Sequence, residues 1–199
     1  GWACKEFGEK IKNLVNEKGS DSSALDNMIE ILVKGGIDTF RAWRMVLPPA
    51  WQNIHMMDPE IKSFHEYNSM HMEAWDGPAG IVMSDGRWAI CLLDRNGLRP
   101  ARYQIDSEGY VTTASEIGVF PQDESNFITK GRIGAGGIFA IDTETGELID
   151  QSIIDNKLKE GKPYRAWLRS KAKYLESSLY NYAGSGIKLI SSIDLNRAS

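Results

Sequence analysis

Cys4 and Cys91 carry the only thiols in this sequence of 199 residues, and a thiol is a possible nucleophile. Cys91 lies inside the apolar run WAICLL, where a cysteine usually packs as a small hydrophobic side chain, so catalysis by Cys91 is not expected. Cys4 lies near the start of the chain, and removal of three residues would make it an N-terminal cysteine whose own amine could serve as a base. The two thiols have no metal-binding spacing and do not indicate a disulfide framework.

Asp21 lies between two serines, directly before an apolar helical pattern. This position favours a helix N-cap, because Asp and Ser side chains accept hydrogen bonds from the free backbone N–H groups of a first turn. The alternative is a carboxylate that is held at a helix start and directed at an ammonium group. The local sequence does not separate the two interpretations.

The dipeptide Asn96-Gly97 lies within the charged stretch LDRNGLRPARY, residues 93–103. An asparagine amide beside a glycine N–H could form an oxyanion hole, but Asn-Gly is also the dipeptide most typical of hairpin turns, and the turn is favoured. The charged neighbours are Asp94, Arg95, Arg99 and Arg102. They are expected to pair with one another where the strands end, and the alternative is that they bind an anion.

The histidines and the Gly134–Gly137 run offer less chemistry. His65 and His71 are six residues apart, which places them on different sides of a helix and not at the i, i+4 spacing of a helical zinc site. For these two and for His55 we expect core or surface positions, and no metal. GAGG lacks the Lys-Ser/Thr of a phosphate-binding loop and predicts a turn that leads into a strand.

The charge balance limits the class of partner. With 23 basic and 27 acidic residues, the net charge of -4 offers no basic surface for nucleic acid or an anionic membrane. No apolar run approaches the roughly 20 residues of a membrane span, and the first residues show no signal-peptide pattern. We expect a soluble, cytoplasmic protein without nucleic-acid or membrane partners.

The segment from residue 1 to residue 75 has the apolar spacing of helices. The clearest pattern, residues 25–33, forms one apolar stripe and stops at Gly35-Gly36. Similar patterns precede it at residues 7–15 and follow it at residues 40–46.

Two further helical regions are expected. One begins with Asp58 as N-cap and Pro59 in the first turn, and continues to Asp76. The other covers residues 151–183, after which residues 184–199 form a tail or linker.

Between residues 79 and 150, short apolar runs alternate with turn sequences, which predicts antiparallel strands joined by hairpins. The runs are AGIVM, WAICLL, YVTTAS, GGIFAID and ELID. AGIVM and WAICLL are apolar nearly throughout instead of alternating. We therefore expect both faces of their hairpin to be covered, one by a second sheet and the other by helices.

Eight ordered blocks resemble the class II glutamine amidotransferases, and within that class the glutaminase domain of glutamate synthases. DRNGLRP at residues 94–100 and Ala-Ser-Glu at residues 114–116 resemble the D-x-x-G-x-(R/K)-P and A-S-E blocks of the class. The eight blocks are SDSSALDN, LPPAWQN, MDPEIKSFHEY, MEAWDGPAGIV, SDGR, LDRNGLRPARY, ASEIGVF and GKPYRAWL. They follow the order of the family and cover about residues 19–168.

The resemblance implies an α+β fold of the N-terminal nucleophile hydrolase type, a four-layer αββα sandwich. It implies that Asp21 binds the α-amino group of glutamine, because Asp21 matches the aspartate of the family's S-D-(S/T) block. The oxyanion Asn-Gly of the family precedes that block, so Asn96-Gly97 does not inherit the oxyanion role. The residues that match the structural motif are Asp94, Gly97, Arg99, Pro100, Ser115 and Glu116.

The nucleophile half of the family's site is not recognisable here. In the family a mature N-terminal cysteine, a substrate-binding arginine and the oxyanion pair all precede the S-D-(S/T) block, whereas 19 residues precede it in this sequence. CKEFG does not resemble the family's start, so Cys4 is not the expected nucleophile. We expect residues 1–183 to be the C-terminal portion of a glutaminase domain whose N-terminal strands are missing, without glutaminase activity of its own.

For the parent enzyme the resemblance implies release of ammonia from L-glutamine and reductive amination of 2-oxoglutarate. FMN and an iron–sulfur cluster are implied for later domains of the parent, and no cofactor is implied for this chain. The implied partners are L-glutamine or L-glutamate, the remainder of the glutamate synthase polypeptide and a protein that supplies reductant.

Two alternatives remain open. The chain could be a non-catalytic binding or regulatory protein that retains the amidotransferase scaffold. It could also come from another class II amidotransferase, such as one that makes a phosphoribosylamine or asparagine. The blocks AWQN and WDGPAG favour the glutamate synthase type over this second alternative.

Overall fold

The computed structural model describes residues 14–16, 18–52, 54, 56–116, 118–119 and 124–173. The helices in this part of the chain are α1 (Asp21–Lys34), α2 (Thr39–Val46), α3 (Pro59–Ser69), α4 (Gln151–Glu160) and α5 (Tyr164–Lys171). The strands are β1 (Gly80–Ser84), β2 (Trp88–Leu93), β3 (Ala101–Asp106), β4 (Val111–Ala114), β5 (Phe127–Ile133), β6 (Ile138–Asp142) and β7 (Leu148–Ile149). This mixture of helices and antiparallel strands is the α+β class that the family resemblance implies. The chain divides into two compact units, and the boundary follows Ala166 within α5.

An aspartate or serine side chain caps the N-terminus of each helix from α1 to α4. Asp38 caps α2 by accepting the Phe40 and Arg41 N–H groups, and Asp58 caps α3 by accepting the Glu60 N–H, as the Asp-Pro signal predicts. Such caps satisfy donors that have no partner within a helix. The ends of α1 and α2, at Lys34 and Val46, agree with the stops expected at Gly35-Gly36 and Pro48-Pro49.

Helix α3 ends at Ser69, earlier than the sequence predicts. The Asn68 and Ser69 side chains bond back to the Phe64 and Glu66 carbonyls and compete with the helical ladder. The chain then turns so that the Trp75 N–H donates to the Val46 carbonyl at 2.7 Å. The expected continuation of this helix to Asp76 is therefore wrong.

The helical predictions at the two ends have a mixed outcome. The pattern at residues 7–15 falls mostly outside the described residues, and Leu14 and Val15 form a turn and a bend. The region after residue 150 forms two helices instead of one, because Gly161 and Pro163 interrupt the helical pattern. Residues 174–199, which include the expected tail, lie outside the described part.

The described strands form two antiparallel sheets. The larger sheet has the order β1-β2-β6-β7, and the smaller sheet has the order β4-β3-β5. In the larger sheet Ile90 lies opposite Ala140 and Cys91 lies opposite Phe139. Strand β5 was not predicted, since FITKGRI carries polar residues and a glycine instead of an apolar run.

Strand β2 is covered on both faces, as its sequence predicts. Its odd-numbered residues Cys91 and Leu93 pack with Ala101, Ile133 and Phe139, which places the smaller sheet against this face. On the opposite face the Trp88 ring contacts the Phe40 ring of α2 edge-on, with centroids 4.9 Å apart. Helices, larger sheet and smaller sheet thus form three successive layers.

Strand β1 departs from the same prediction. It lies at an edge of the larger sheet within the described residues, and its side chains alternate between exposed and half-buried. Val82 is 69% exposed. The expectation that both faces of AGIVM are covered is therefore wrong.

No helix in the described part of the chain is long and apolar enough to cross a lipid bilayer.

Candidate functional site

Asp21 is the first residue of α1, and it is exposed. The N-cap is Ser20, whose Oγ accepts a hydrogen bond from the Ser23 N–H at 3.2 Å. Asp21 Oδ1 accepts a hydrogen bond from the Ser22 N–H at 2.7 Å. Ser20 therefore performs the capping role that the sequence left open for Asp21.

The segment before α1 is anchored to that helix by hydrogen bonds. The Asn16 N–H donates to Asn27 Oδ1 at 2.9 Å, and the Gly19 N–H donates to the Asn16 carbonyl at 3.1 Å. The buried residues of α1 are Leu25, Ile29 and Leu32. A carboxylate at a helix N-terminus is stabilised by the helix dipole. No described residue forms an ion pair with Asp21.

Asp94 is the buried centre of the charged stretch, with 2% of its surface exposed. Its carboxylate accepts the Ala79 N–H and the Asn96 N–H, each at 3.0 Å. Its backbone carbonyl accepts the Gly97 N–H at 3.0 Å and the Gly136 N–H at 2.7 Å. Asp94 therefore joins the start of β1, the end of β2 and the turn between β5 and β6.

The Asn96-Gly97 dipeptide is a turn and not an oxyanion hole. Both of its backbone N–H groups donate to Asp94, so neither is free to bind an oxyanion. Gly97 has a φ of +59°, and a Cβ there would lie 2.7 Å from Ala135 Cα. Only glycine fits this close approach to the next turn.

The predicted hairpin at this turn is wrong, because β2 and β3 belong to different sheets. Gly97 is the only residue of the dipeptide with a positive φ, whereas the two-residue hairpin turn favoured by Asn-Gly needs it at both positions. Leu98 to Pro100 then carry the chain from the larger to the smaller sheet.

The charged neighbours do not pair with one another. Arg95 forms an ion pair with Asp76 at 2.9 Å, and Asp94 accepts backbone N–H groups. Arg99 is exposed, and its side-chain carbons lie beside Gly80. The mutual pairing predicted for these residues is therefore wrong.

The remaining motif residues Pro100, Ser115 and Glu116 are exposed. Glu116 lies beside a shallow pocket of about 240 Å³ on the smaller sheet, together with Arg102 and Arg132. Pro100, Ser115 and Glu116 form no hydrogen bond with Asp94. The motif residues therefore connect parts of the fold and do not form one cluster of reactive groups.

Cys91 is buried, and burial raises the pKa of its thiol to about 11. A buried thiol with a raised pKa holds little thiolate at neutral pH, so Cys91 is a poor nucleophile. Cys4 and His55 lie outside the described residues.

His65 is buried, and His71 is exposed. Burial, together with the charge of Arg44, lowers the pKa of His65 to about 3, so its imidazole is neutral. Within the described ranges no three His, Cys, Asp or Glu side chains are grouped closely enough to hold a metal ion.

Residues 2–167 match the family of class-II glutamine amidotransferases. The chain belongs to this family. The match includes Asp21, the Asp94–Gly97 turn and all seven described strands of the amidotransferase chain.

The relatives of this amidotransferase chain include several glutamate synthases. It is 37% identical over 178 residues to the chloroplastic ferredoxin-dependent glutamate synthase of Oryza sativa subsp. japonica, covering 88% of this chain and 11% of that protein. It is 38% identical over 170 residues to the large chain of the NADPH glutamate synthase of Bacillus subtilis, covering 84% and 11%. It is 38% identical over 165 residues to the NADH glutamate synthase of Saccharomyces cerevisiae, covering 82% and 8%. The chain therefore spans about a tenth of the length of these relatives.

Proposed function

We propose that the chain is part of the glutamine-hydrolysing domain of a glutamate synthase. The support is the family match together with relatives that are glutamate synthases with ferredoxin, NADPH or NADH in their names. The three described layers fit three layers of a four-layer αββα sandwich, and we propose that a further helical layer covers the smaller sheet in the complete domain.

The proposed role of Asp21 is to bind the α-amino group of L-glutamine. The observation that carries this proposal is that Ser20 caps α1 and leaves the Asp21 carboxylate exposed. An exposed carboxylate on an anchored helix can pair with an ammonium group without giving up a structural hydrogen bond to a side chain. The ion pair would orient the substrate at its amino acid end.

In the proposed reaction, a cysteine thiolate attacks the side-chain amide carbon of glutamine. The tetrahedral intermediate collapses with loss of ammonia, and water cleaves the resulting thioester to release glutamate. Ammonia is then used for the reductive amination of 2-oxoglutarate elsewhere in the parent polypeptide. Cys91 is a poor candidate for this thiolate because it is buried between the sheets.

The described residues do not fit an iron–sulfur cluster, because Cys91 is buried and no group of three ligands is present among them. We assign FMN and the cluster to other domains of the parent, together with contacts to the protein that supplies reductant. No reaction step of the described residues passes through either cofactor.

The proposed role of Asp21 is tested by isothermal titration of L-glutamine and L-glutamate into the chain. Asp21→Asn removes the charge and keeps the shape, so we expect at least about tenfold weaker binding. Asp26→Asn is the matched control, because Asp26 is also exposed on α1. Equal binding by wild type and Asp21→Asn would refute the assignment.

The expected lack of glutaminase activity is tested separately by following ammonia release from L-glutamine. We expect none from the purified chain. Release that disappears in Cys4→Ala would show instead that this chain carries its own nucleophile.

A further inference from the structure

A cleft of about 640 Å³ lies between α2, α3 and the turn at Arg95 and Asn96. The loop of residues 48–52 and the segment of residues 72–76 complete its walls. Arg44 and His65 line the cleft and are buried, with 1% and 2% of their surfaces exposed. The cleft therefore combines an open volume with a buried cation.

Only part of the Arg44 guanidinium is hydrogen-bonded. Its Nη1 donates to the Gly136 carbonyl at 2.7 Å, whereas Nε and Nη2 have no hydrogen-bond partner. Burial lowers the pKa of Arg44 to about 10, which leaves the group charged at neutral pH. A buried cation with unpaired N–H groups is destabilising unless an anion or a hydrogen-bond acceptor meets it.

Among the described residues, no charged side chain near Arg44 accepts a hydrogen bond from its Nε or Nη2. Asp155 of α4 is near enough to Arg44 for an electrostatic interaction but forms no ion pair with it. The Oδ1 atom of Asp155 also has no hydrogen-bond partner. Burial raises the pKa of Asp155, which weakens it as a counterion. At the cleft's edge, Arg95 and Asp76 neutralise each other. Glu73 also lines the cleft, so the charges of its lining side chains sum to zero, and among the described residues the cation there without an ion-pair partner is Arg44.

The two unpaired donors of Arg44 have a specific geometry. Nε and Nη2 form one edge of the planar guanidinium, and two parallel N–H groups on that edge match the two oxygens of a carboxylate. One cation suits one negative charge, whereas a phosphate dianion needs more. The geometry therefore favours a carboxylate.

The other walls favour an apolar or aromatic body on that carboxylate. The Trp51 ring lies nearly parallel to the His65 ring, at 16° with centroids 6.2 Å apart. Met45 and Met72 line the same cleft. Because the free Arg44 nitrogens are buried, a ligand reaches them only when lining side chains rotate, and methionine is the most adaptable side chain for such a movement.

We propose that this cleft is a binding site for a small aromatic or apolar carboxylate, held by the Nε and Nη2 edge of Arg44 and packed against Trp51. The site uses residues of α2, α3 and the loop of residues 48–52. It does not depend on the role proposed for Asp21.

The test compares benzoate with benzamide, which has nearly the same shape but no charge. Binding is followed by the NMR chemical shifts of the Trp51 indole and the Asn68 amide during titration of the full chain. We expect saturable shifts with benzoate and at least about tenfold weaker binding of benzamide. Absence of saturation with benzoate, or equal affinity for the two compounds, would overturn the proposal without any variant.

Two variants locate the charge preference. Arg44→Met replaces the buried charge with an apolar side chain of similar length, and it should lower benzoate affinity to that of benzamide. Arg41→Met is the control, because Arg41 lies on the same helix and donates to Asn68 without lining the cleft. Retention of the preference for benzoate in Arg44→Met, or its loss in Arg41→Met, would refute the role of Arg44.

Inorganic phosphate serves as a second anion, and stronger binding of phosphate than of benzoate would contradict the proposed match between Arg44 and a carboxylate.

Discussion

Buried polar side chains in the described residues differ in how completely they are hydrogen-bonded. Asp94 accepts two backbone N–H groups through its carboxylate, so its burial is compensated. His65 is equally buried, but neither ring nitrogen has a partner. Asp94 joins three elements, and the buried imidazole of His65 is expected to make the free energy of unfolding depend on pH.

His65→Leu should make the chain less sensitive to acid. In the unfolded chain His65 takes up a proton below its ordinary pKa of 6.5, whereas in the folded chain it does so only near a pKa of about 3. The unfolded state therefore binds more protons between these values, and stability falls as the pH decreases through that window. Between about pH 7 and pH 4.5 we expect wild type to lose about 2 kcal/mol more than His65→Leu.

This difference is measured by urea unfolding at the two pH values. His71→Gln is the control, since His71 is exposed, and its pH profile should follow wild type. If His65→Leu and wild type lose equal stability on acidification, the buried imidazole is not the source of the pH dependence.

At the scale of elements, the two sheets are held together by a contact that depends on one glycine. The Tyr103 ring of β3 stacks on the Phe139 ring of β6, with centroids 5.1 Å apart and planes at 20°. Gly131 of β5 lies directly opposite Tyr103, and a Cβ there would overlap the Tyr103 ring. An aromatic side chain that lies over a glycine on the adjacent strand protects the exposed backbone of that glycine.

Gly131→Ala should move Tyr103 and loosen the packing of the sheets. We expect a loss of about 2 kcal/mol in the free energy of unfolding, measured with urea. In a Tyr103→Ala background the same change should cost much less, because its steric partner is gone. Gly134→Ala is the control, because a Cβ at Gly134 would meet no atom within 4 Å and its φ is not positive. Equal costs of Gly131→Ala in both backgrounds would contradict the steric explanation.

The elements also show which features a sequence can predict. The doubly covered β2 follows from an apolar run that leaves no polar face, and α3 begins where Asp58 and Pro59 indicate. Strand β5 and the early end of α3 were missed, because each depends on tertiary contacts such as that of Trp75 with Val46. The family's S-D-(S/T) block indicated Asp21, but no local signal marked Arg44, whose burial appears only when α2, α3 and α4 are packed.

At the scale of the whole molecule, α3 is joined to α4 and α5 by ion pairs between residues that are 101 and 105 positions apart in the sequence. Lys159 of α4 donates to Asp58 at the start of α3 at 2.7 Å, and Arg165 of α5 donates to Glu60 at 3.0 Å. The bond from Lys159 is the first cause of the lowered pKa of Asp58. The side chains of these pairs are partly exposed, so each pair is expected to add little to stability.

Asp58→Ala should have two separable effects. Loss of the N-cap of α3 should lower the free energy of unfolding by about 1 kcal/mol. In the Asp58→Ala background, Lys159→Met should no longer lower the free energy of unfolding, because the partner of Lys159 is gone. This coupling between the two substitutions should be smaller at about 1 M salt, where exposed charges are screened. Asp150→Ala is the control, since Asp150 caps α4 without bonding to Lys159. A coupling with Lys159→Met that is as large for Asp150→Ala as for Asp58→Ala would contradict the specific contact.

The smaller sheet is a continuous segment inserted between two neighbouring strands of the larger sheet, and this affects the order of folding. Its first residue, Ala101, pairs directly with its last, Ile133, so formation of the smaller sheet brings both ends together. Pairing of β2 with β6 then needs to close only two short connections instead of a long flexible loop, which lowers the entropy cost. We therefore expect the smaller sheet to form before the two strands meet. Destabilising substitutions in β3 should slow folding, whereas those in the peripheral β7 should mainly speed unfolding, as stopped-flow kinetics can establish.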